Sequence, residues 1–255
     1  MSKNTLTKQV FGHITSSHSE DPRVSIIKDA VDSAIVGKEK ARAPRKYIGA
    51  SSIGEECQRK IQYRYMNYPV PEHREFSAQT LRIFMFGHEI EEFVKMWLLD
   101  AGFDLRTEDK QGEQFGFEVA DGEFKGHIDG VICGGPTGLP YPMLWENKSA
   151  NDKKFQSFVR LGVARANPVY ATQIALYQAY MGLHETPALF TVMNKNTCEI
   201  HYELVPFNPE LAQTASDRAV NILTASKAGD MLPKVAQSKD FYLCKFCEYQ
   251  DECWK

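Results

Sequence analysis

Phe124-Lys-Gly-His-Ile-Asp-Gly-Val-Ile132, followed by Pro142-Met-Leu-Trp-Glu-Asn-Lys148, is the stretch on which the reading of this chain turns. Both runs have the two-residue apolar period and the flanking turn residues of β-strands. The segment between them, Cys133-Gly-Gly-Pro-Thr-Gly-Leu-Pro-Tyr141, is rich in Gly and Pro and suits a hairpin connection. Alternation along the second strand sets Glu146 and Lys148 on one face, and pairing brings Asp129 near them. Two carboxylates and an ammonium in one cleft make a site for a hard divalent cation, Mg²⁺ or Mn²⁺. Such a metal polarises a phosphoryl oxygen and acidifies a bound water, and Lys148 can orient that water or steady the developing charge. Read alone, the pattern is short and common. Asp129 would then be a turn residue, and Glu146 and Lys148 a solvated pair.

Working outward, Thr80 to Ala101 carries apolar residues at three- and four-residue spacing (Leu81, Phe84, Met85, Ile90, Phe93, Val94, Trp97, Leu98) and reads as an amphipathic helix with a buried face. His88 lies on it beside Gly87, where a neighbouring strand can approach closely, and an imidazole is a competent metal ligand. A second helix includes Tyr170 to Tyr180. Its Gln173 and Tyr177 are four residues apart and share a face, offering an amide and a phenol to a phosphate or a base edge. The tail reads Cys244-Lys-Phe-Cys247-Glu-Tyr-Gln-Asp-Glu-Cys253, which brings three thiols within reach of one metal centre. Zinc and iron–sulfur sites normally take four. Cys57 is the best fourth: Ser52 with Glu55 forms a capping-box signature, so Cys57 falls early in a helix. Cys133 and Cys198, at the ends of expected strands, read as small buried hydrophobes. A disulfide pair with a spare thiol is the other reading of the tail, disfavoured because the chain reads as cytoplasmic and shows no secretory signal.

These motifs, in this order, resemble the RecB-like branch of the PD-(D/E)xK nucleases, and within it the iron–sulfur exonucleases represented by the CRISPR-associated RecB-like exonuclease and the AddB nuclease domain. The match runs over residues 49–253: an early Cys57, the helical Gly87-His88, Gly-x-x-Asp from Gly126 to Asp129, Glu-x-Lys from Glu146 to Lys148, Gln-x-x-x-Tyr from Gln173 to Tyr177, and Cys-x2-Cys-x5-Cys. The resemblance implies a restriction-endonuclease-like α/β core with a mixed central sheet flanked by helices, the cysteine tail closing onto an early helix. It implies that His88, Asp129, Glu146 and the Asn147 backbone carbonyl bind the catalytic metal while Lys148 positions the attacking water. Gln173 and Tyr177 would be a DNA-contacting motif. Cys57, Cys244, Cys247 and Cys253 would hold a [4Fe-4S] cluster that staples the two ends of the domain. The activity implied is a Mg²⁺- or Mn²⁺-dependent deoxyribonuclease, an exonuclease in DNA recombination, repair or end processing, with a phage-encoded relative in view. No Pro precedes the Asp of the second motif, a form this branch accepts.

Residues 1–48 have no counterpart in that pattern and read as a helical, basic extension, with a helix over Arg23 to Val36 and a positive stretch from Lys38 to Lys46. Residues 49–255 read as one nuclease domain. The 255 residues carry a net charge of −3, with 43% hydrophobic and 25% charged residues. That balance gives no global nucleic-acid signal, and no run is long enough to span a membrane. A nuclease needs positive potential only along its groove, for which Arg59 and Lys60, close to Cys57, are the favoured pair. Two other classes stay open. One is a partner-dependent processing subunit working with a recombination or CRISPR adaptation protein. The other is a non-catalytic zinc-stapled DNA-binding module, although such a module has no need of Asp129, Glu146 and Lys148 together.

Overall fold

The structure, a computed structural model, describes residues 21–255. The start of the chain, where part of the N-terminal extension falls, lies outside them. The described residues divide into two compact units, one comprising residues 21–42 together with residues 76–81, the other residues 43–75 and 82–255.

In the first unit, helix α1 (Pro22–Lys40) starts at Asp21, whose side chain accepts the Arg23 backbone N–H at 3.0 Å, with Pro22 at the first helical position. It runs further than the expected Arg23–Val36, because the Lys38-Glu39-Lys40 end of the basic stretch is itself a good helix former.

The second unit is built around two sheets. In the smaller one, β1 (Ile48–Gly49) pairs in parallel with β4 (Phe124–His127), which pairs antiparallel with β3 (Gly116–Val119). The larger runs in the order β2 (Leu105–Arg106), β5 (Gly130–Ile132), β6 (Met143–Ala150), β7 (Ala188–Asn194), β8 (Ile200–Val205). β6 and β7 are parallel, so a crossover must join them. It is made by α4 (Asp152–Ala166) and α5 (Pro168–Tyr180). β7 is buried along its whole length, as expected of a central strand covered on both faces. One face carries the larger core: Leu144, Phe190 and Val192 pack against Phe155, Phe158, Ile174 and Leu176, with Ala215, Ala219 and Ile222 of α6 (Pro209–Ala228) behind them. On the other face Ile90, Val94 and Leu98 of α3 (Ala78–Asp100) seal Met143, Trp145, Leu189 and Met193. The result is the α/β sandwich expected, a mixed sheet flanked by helices.

Several expectations need correcting. Phe124 to Ile132 is not one strand but two, β4 and β5, in different sheets. Residues 124, 126, 128, 130 and 132 are all buried, so the period continues through the change of partner and conceals it. The expected apolar face of α3 is only half buried: Leu81, Ile90, Val94 and Leu98 are covered, while Phe84, Met85, Phe93 and Trp97 are exposed. Ser52 caps no α-helix. It closes a short 3-10 turn (Ala50–Ser52), its hydroxyl donates to the Gly49 carbonyl, and the helix α2 (Gln58–Tyr65) begins later, with Cys57 itself as N-cap. Cys133 and Cys198 are exposed rather than buried. Cys133 lies one residue beyond β5, and Cys198 ends the β7–β8 turn at φ 62.

The tail returns to α2 as expected. Arg64 bonds Glu248 at 2.7 Å, Arg74 bonds the carbonyls of Lys245 and Cys247, and the Gln62 amide bonds both the Asp230 carbonyl and the Leu232 N–H. Two short helices, α7 (Tyr242–Lys245) and α8 (Gln250–Cys253), carry Cys244 and Cys253, with Cys247 between them.

Candidate active site

Asp129 stands at the seam where the chain leaves the smaller sheet and enters the larger. Its Oδ2 accepts the Asn147 backbone N–H at 2.7 Å, which ties the seam to the middle of β6. Register places Gly130 opposite Trp145, so Asp129 comes beside Glu146 as the hairpin reading required. A strand residue directs its N–H and C=O to the same edge, so the Asn147 carbonyl also leaves β6 on the Asp129 side. The Asn147 side chain is fixed from behind, where Trp145 Nε1 donates to Thr191 Oγ1 at 3.0 Å and that hydroxyl donates to Asn147 Oδ1 at 2.8 Å.

Glu146 is completely buried. Its Oε1 accepts from the Lys148 ammonium and from Gln173 Nε2, the latter at 2.6 Å, while its Oε2 is buried with no hydrogen-bond partner. A bare anionic oxygen in the interior is costly unless a cation meets it. Burial, then the neighbouring Asp129, raises the Glu146 pKa to about 8 against the pull of Lys148. Burial raises Asp129 as well, opposed by Lys148, the Asn147 N–H and His88. Burial alone would discharge Lys148, but Glu146 and Asp129 outweigh it and hold the ammonium above its ordinary pKa. The Tyr170 ring lies under that ammonium, 5.4 Å from Nζ to centroid.

The structure brings Asp129, Glu146, Asn147 and Lys148 together, with His88 on the α3 side within electrostatic reach of Asp129. It also adds a residue the sequence reading missed. Glu91 is raised to about 7 by burial, then by Asp129, against Lys148. Its signal was present: Glu91 follows His88 by three positions on a helix and therefore shares its face. Tyr170 was missed too, although it sits one turn before Gln173. As the side chains stand, no three His, Cys, Asp or Glu groups among the described residues come close enough to grip one metal ion.

Gln173 and Tyr177 are placed differently from the expected DNA contact. Both are buried, and Gln173 Nε2 lies within reach of Glu146 and, at 3.2 Å, of the Tyr177 hydroxyl. They brace the carboxylate and do not face solvent. Gly126 makes room for this, since a Cβ there would lie 2.5 Å from Tyr177 Cε1.

Arg59 and Lys60 also differ from expectation, because both are already engaged within the protein. Arg59 donates to the Leu232 carbonyl and approaches Cys253 Sγ at 3.9 Å; Lys60 pairs with Glu55 at 2.7 Å and Glu248 at 3.6 Å. They form part of the wall of a cavity of ≈ 170 Å³ on which Cys57, Cys244, Cys247 and Cys253 converge. Burial, then Cys57 and Cys253, raises the Cys244 thiol; burial lifts Cys247 to about 11, against a hydrogen bond from the Tyr249 N–H. Gly54 lets this segment lie on α5, because a Cβ there would meet Val169 Cα at 2.8 Å.

No protein-family model and no curated protein matches this sequence. Solved structures do match it in shape. An alkaline exonuclease from Laribacter hongkongensis superposes with a TM-score of 0.52 at 14% identity, over 75% of this chain and 93% of that one. The same enzyme in complex with dAMP gives 0.51 at 13% identity, over 79% and 93%. The structure titled SSO0001 gives 0.49 at 12% identity, over 89% and 96%. Likeness at this identity is likeness of fold: the chain has a restriction-endonuclease-like α/β core. Among the described residues no helix is long and apolar enough to cross a membrane.

Proposed function

We propose that this protein is a divalent-metal-dependent nuclease that hydrolyses phosphodiester bonds in DNA, an exonuclease of the RecB-like PD-(D/E)xK type acting in the cytoplasm. The observation that carries the reading is the bare, buried Oε2 of Glu146. It sits among Asp129, Glu91 and the Lys148 ammonium, on a fold shared with a known exonuclease. Once their protons are given up to a metal, three carboxylates around one ammonium leave an excess of negative charge that suits a hard divalent cation. Asp129, Glu146, the Asn147 carbonyl and, from α3, His88 or Glu91 would hold Mg²⁺ or Mn²⁺. Bound there, the ion would polarise the phosphoryl oxygen and acidify a water. Lys148, held charged by its neighbours, orients the attacking water and offsets charge gathering on the phosphate. Gln173 and Asn147 keep the two carboxylates aimed.

The four cysteines around one cavity support the second part of the proposal, a [4Fe-4S] cluster held by Cys57, Cys244, Cys247 and Cys253. All four thiols line one cavity of ≈ 170 Å³, the shared space that such a cluster would occupy. Its chemical role is a cross-link between α2 and the tail.

The test is end-labelled linear single- and double-stranded DNA incubated with Mg²⁺, Mn²⁺ or EDTA, beside Lys148→Ala. Metal-dependent loss of label by the wild type alone supports the reading. No cleavage by a protein with its full iron and sulfide content refutes a self-sufficient nuclease and leaves the second reading, a subunit that cuts only with a protein partner. The exposed Met85, Phe86, Met96 and Trp97 on α3 favour that alternative.

A further inference from the structure

The basic residues that sequence reading favoured for DNA, Arg59 and Lys60, are occupied by internal partners. Another group is placed to do their work. Along β4 the side chains alternate: Phe124, Gly126 and Ile128 point into the core, while Lys125 and His127 point out. Asp129 follows in the same phase. The extended run continues past β4, since the Ile128 N–H bonds the Phe115 carbonyl at 2.9 Å. At about 3.3 Å per residue, His127 stands roughly 7 Å and Lys125 roughly 13 Å from Asp129, along one line. That is about four base steps at 3.4 Å each.

The neighbouring strand broadens this line. Parallel register sets Gly49 beside Lys125 and Ile48, which is buried, beside Phe124, so Tyr47 and Gly49 share the outer face. The Tyr47 ring gathers two cations, with Arg45 Cζ 5.9 Å and Lys125 Nζ 5.6 Å from its centroid. Above Gly49 the surface is low: a Cβ there would meet nothing nearer than 3.8 Å, the first atom being Arg45 Nη1. Lys46 follows Arg45 and is exposed. The acid that opposes this patch is Glu118 on β3, paired with Lys125 at 2.6 Å on an exposed side chain. An exposed pair of this kind is weak and screened by salt, so a phosphate can displace Glu118.

We infer that the outer face of the smaller sheet, with Arg45, Tyr47, Lys125 and His127, is a track for the phosphate backbone of a nucleic-acid strand whose reacting phosphate lies at Asp129. This rests on the nuclease reading and adds to it where the substrate runs. Arg45 and Lys125 neutralise phosphates, Tyr47 holds the two cations in register, and Glu118 tempers affinity.

The test measures binding without cleavage. Fluorescently labelled single- and double-stranded oligonucleotides are titrated with the full-length protein in EDTA and in Ca²⁺, over a series of salt concentrations, with a thermal melt of each variant. The expected result is that Arg45→Ala with Lys125→Ala weakens binding on the order of tenfold or more and lowers the salt slope by about two phosphate contacts, at an unchanged melting temperature. Tyr47→Leu weakens binding and Tyr47→Phe does not. Glu118→Gln tightens it, an effect that loss of folding cannot imitate. A wild type that binds, beside a double variant with the same affinity and slope and a Glu118→Gln variant no tighter, overturns the track and leaves the nuclease reading standing. A wild type that binds neither form of DNA at low salt overturns both.

Discussion

Glu146 makes the metal-free protein sensitive to pH in an unusual direction, and the size of the effect follows from its surroundings. An ordinary glutamate ionises near 4.5, whereas here burial and Asp129 raise the value to about 8. Between those two values the native state holds a proton that the unfolded chain has released. Stability in that window therefore falls as pH rises, by at most about 1.4 kcal/mol per pH unit for each such proton. The contribution is fully present below pH 4.5 and lost by pH 8. Glu91, raised to about 7, acts in the same sense as Glu146 over the lower part of the window. Lys148 adds no slope here, because its raised pKa keeps it charged throughout. A bound divalent cation replaces the held protons, so its stabilisation should grow with pH. The assay is a set of thermal melts from pH 5 to 8.5, in EDTA and in Mn²⁺, for the wild type and Glu146→Gln. We expect a metal-free melting temperature that drops across this range, a Mn²⁺-induced rise larger at pH 8 than at pH 6, and a variant that is flatter in pH and unresponsive to Mn²⁺. A metal-free wild type equally stable at pH 5 and pH 8 would refute the reasoning.

Three further outcomes are expected. Asp129→Ala, Glu146→Ala and Lys148→Ala should each reduce cleavage by about 10²-fold or more without unfolding the protein, measured as single-turnover rates beside circular dichroism; normal cutting by all three would misplace the site. Gln173→Ala removes the amide that holds Glu146 Oε1 and should destabilise by about 1–3 kcal/mol, while Gly126→Val, driving a side chain into Tyr177, should do at least as much. Both should lower the cleavage rate, and denaturant titration with kinetics checks them. Cys57→Ala should lose iron and sulfide together. A variant that retains a full load removes Cys57 from the ligand set.

Much of this arrangement was legible in the chain because it rests on local chemistry. The β5–β6 hairpin announced itself through Gly134, Gly135 and Pro136 and two flanking apolar runs. Helix α6 starts after Asn208, whose side chain accepts the Leu211 N–H at 2.9 Å, and ends at Gly229 in the left-handed conformation, both local signals of residue type. What escaped was anything decided by which partner a residue meets. The period through Phe124 to Ile132 is the same whether one strand or two are present, so Asp129 could not be seen to stand at a seam. Gln173 and Tyr177 were correctly put on one face of a helix, but a helical wheel does not say whether that face meets solvent or Glu146. Arg59 and Lys60 were marked by charge alone, and charge does not reveal that Glu55, Glu248 and the Leu232 carbonyl had already claimed them. Glu91 carries no motif of its own, and only its place three residues after His88 on one helical face marks it.

Helix α5 is a party wall. Val169 faces the cysteine cavity, its immediate neighbour Tyr170 underlies Lys148, and one turn further Gln173 carries Glu146. Two rooms of different chemistry thus share one rigid partition, and neither can be remodelled without shifting the other. A genetic screen for loss of cleavage should therefore return substitutions from the tail and from Gly54 alongside the acidic residues. Such alleles would look like failures of assembly, yet their damage would arrive at the carboxylates through a single turn of backbone.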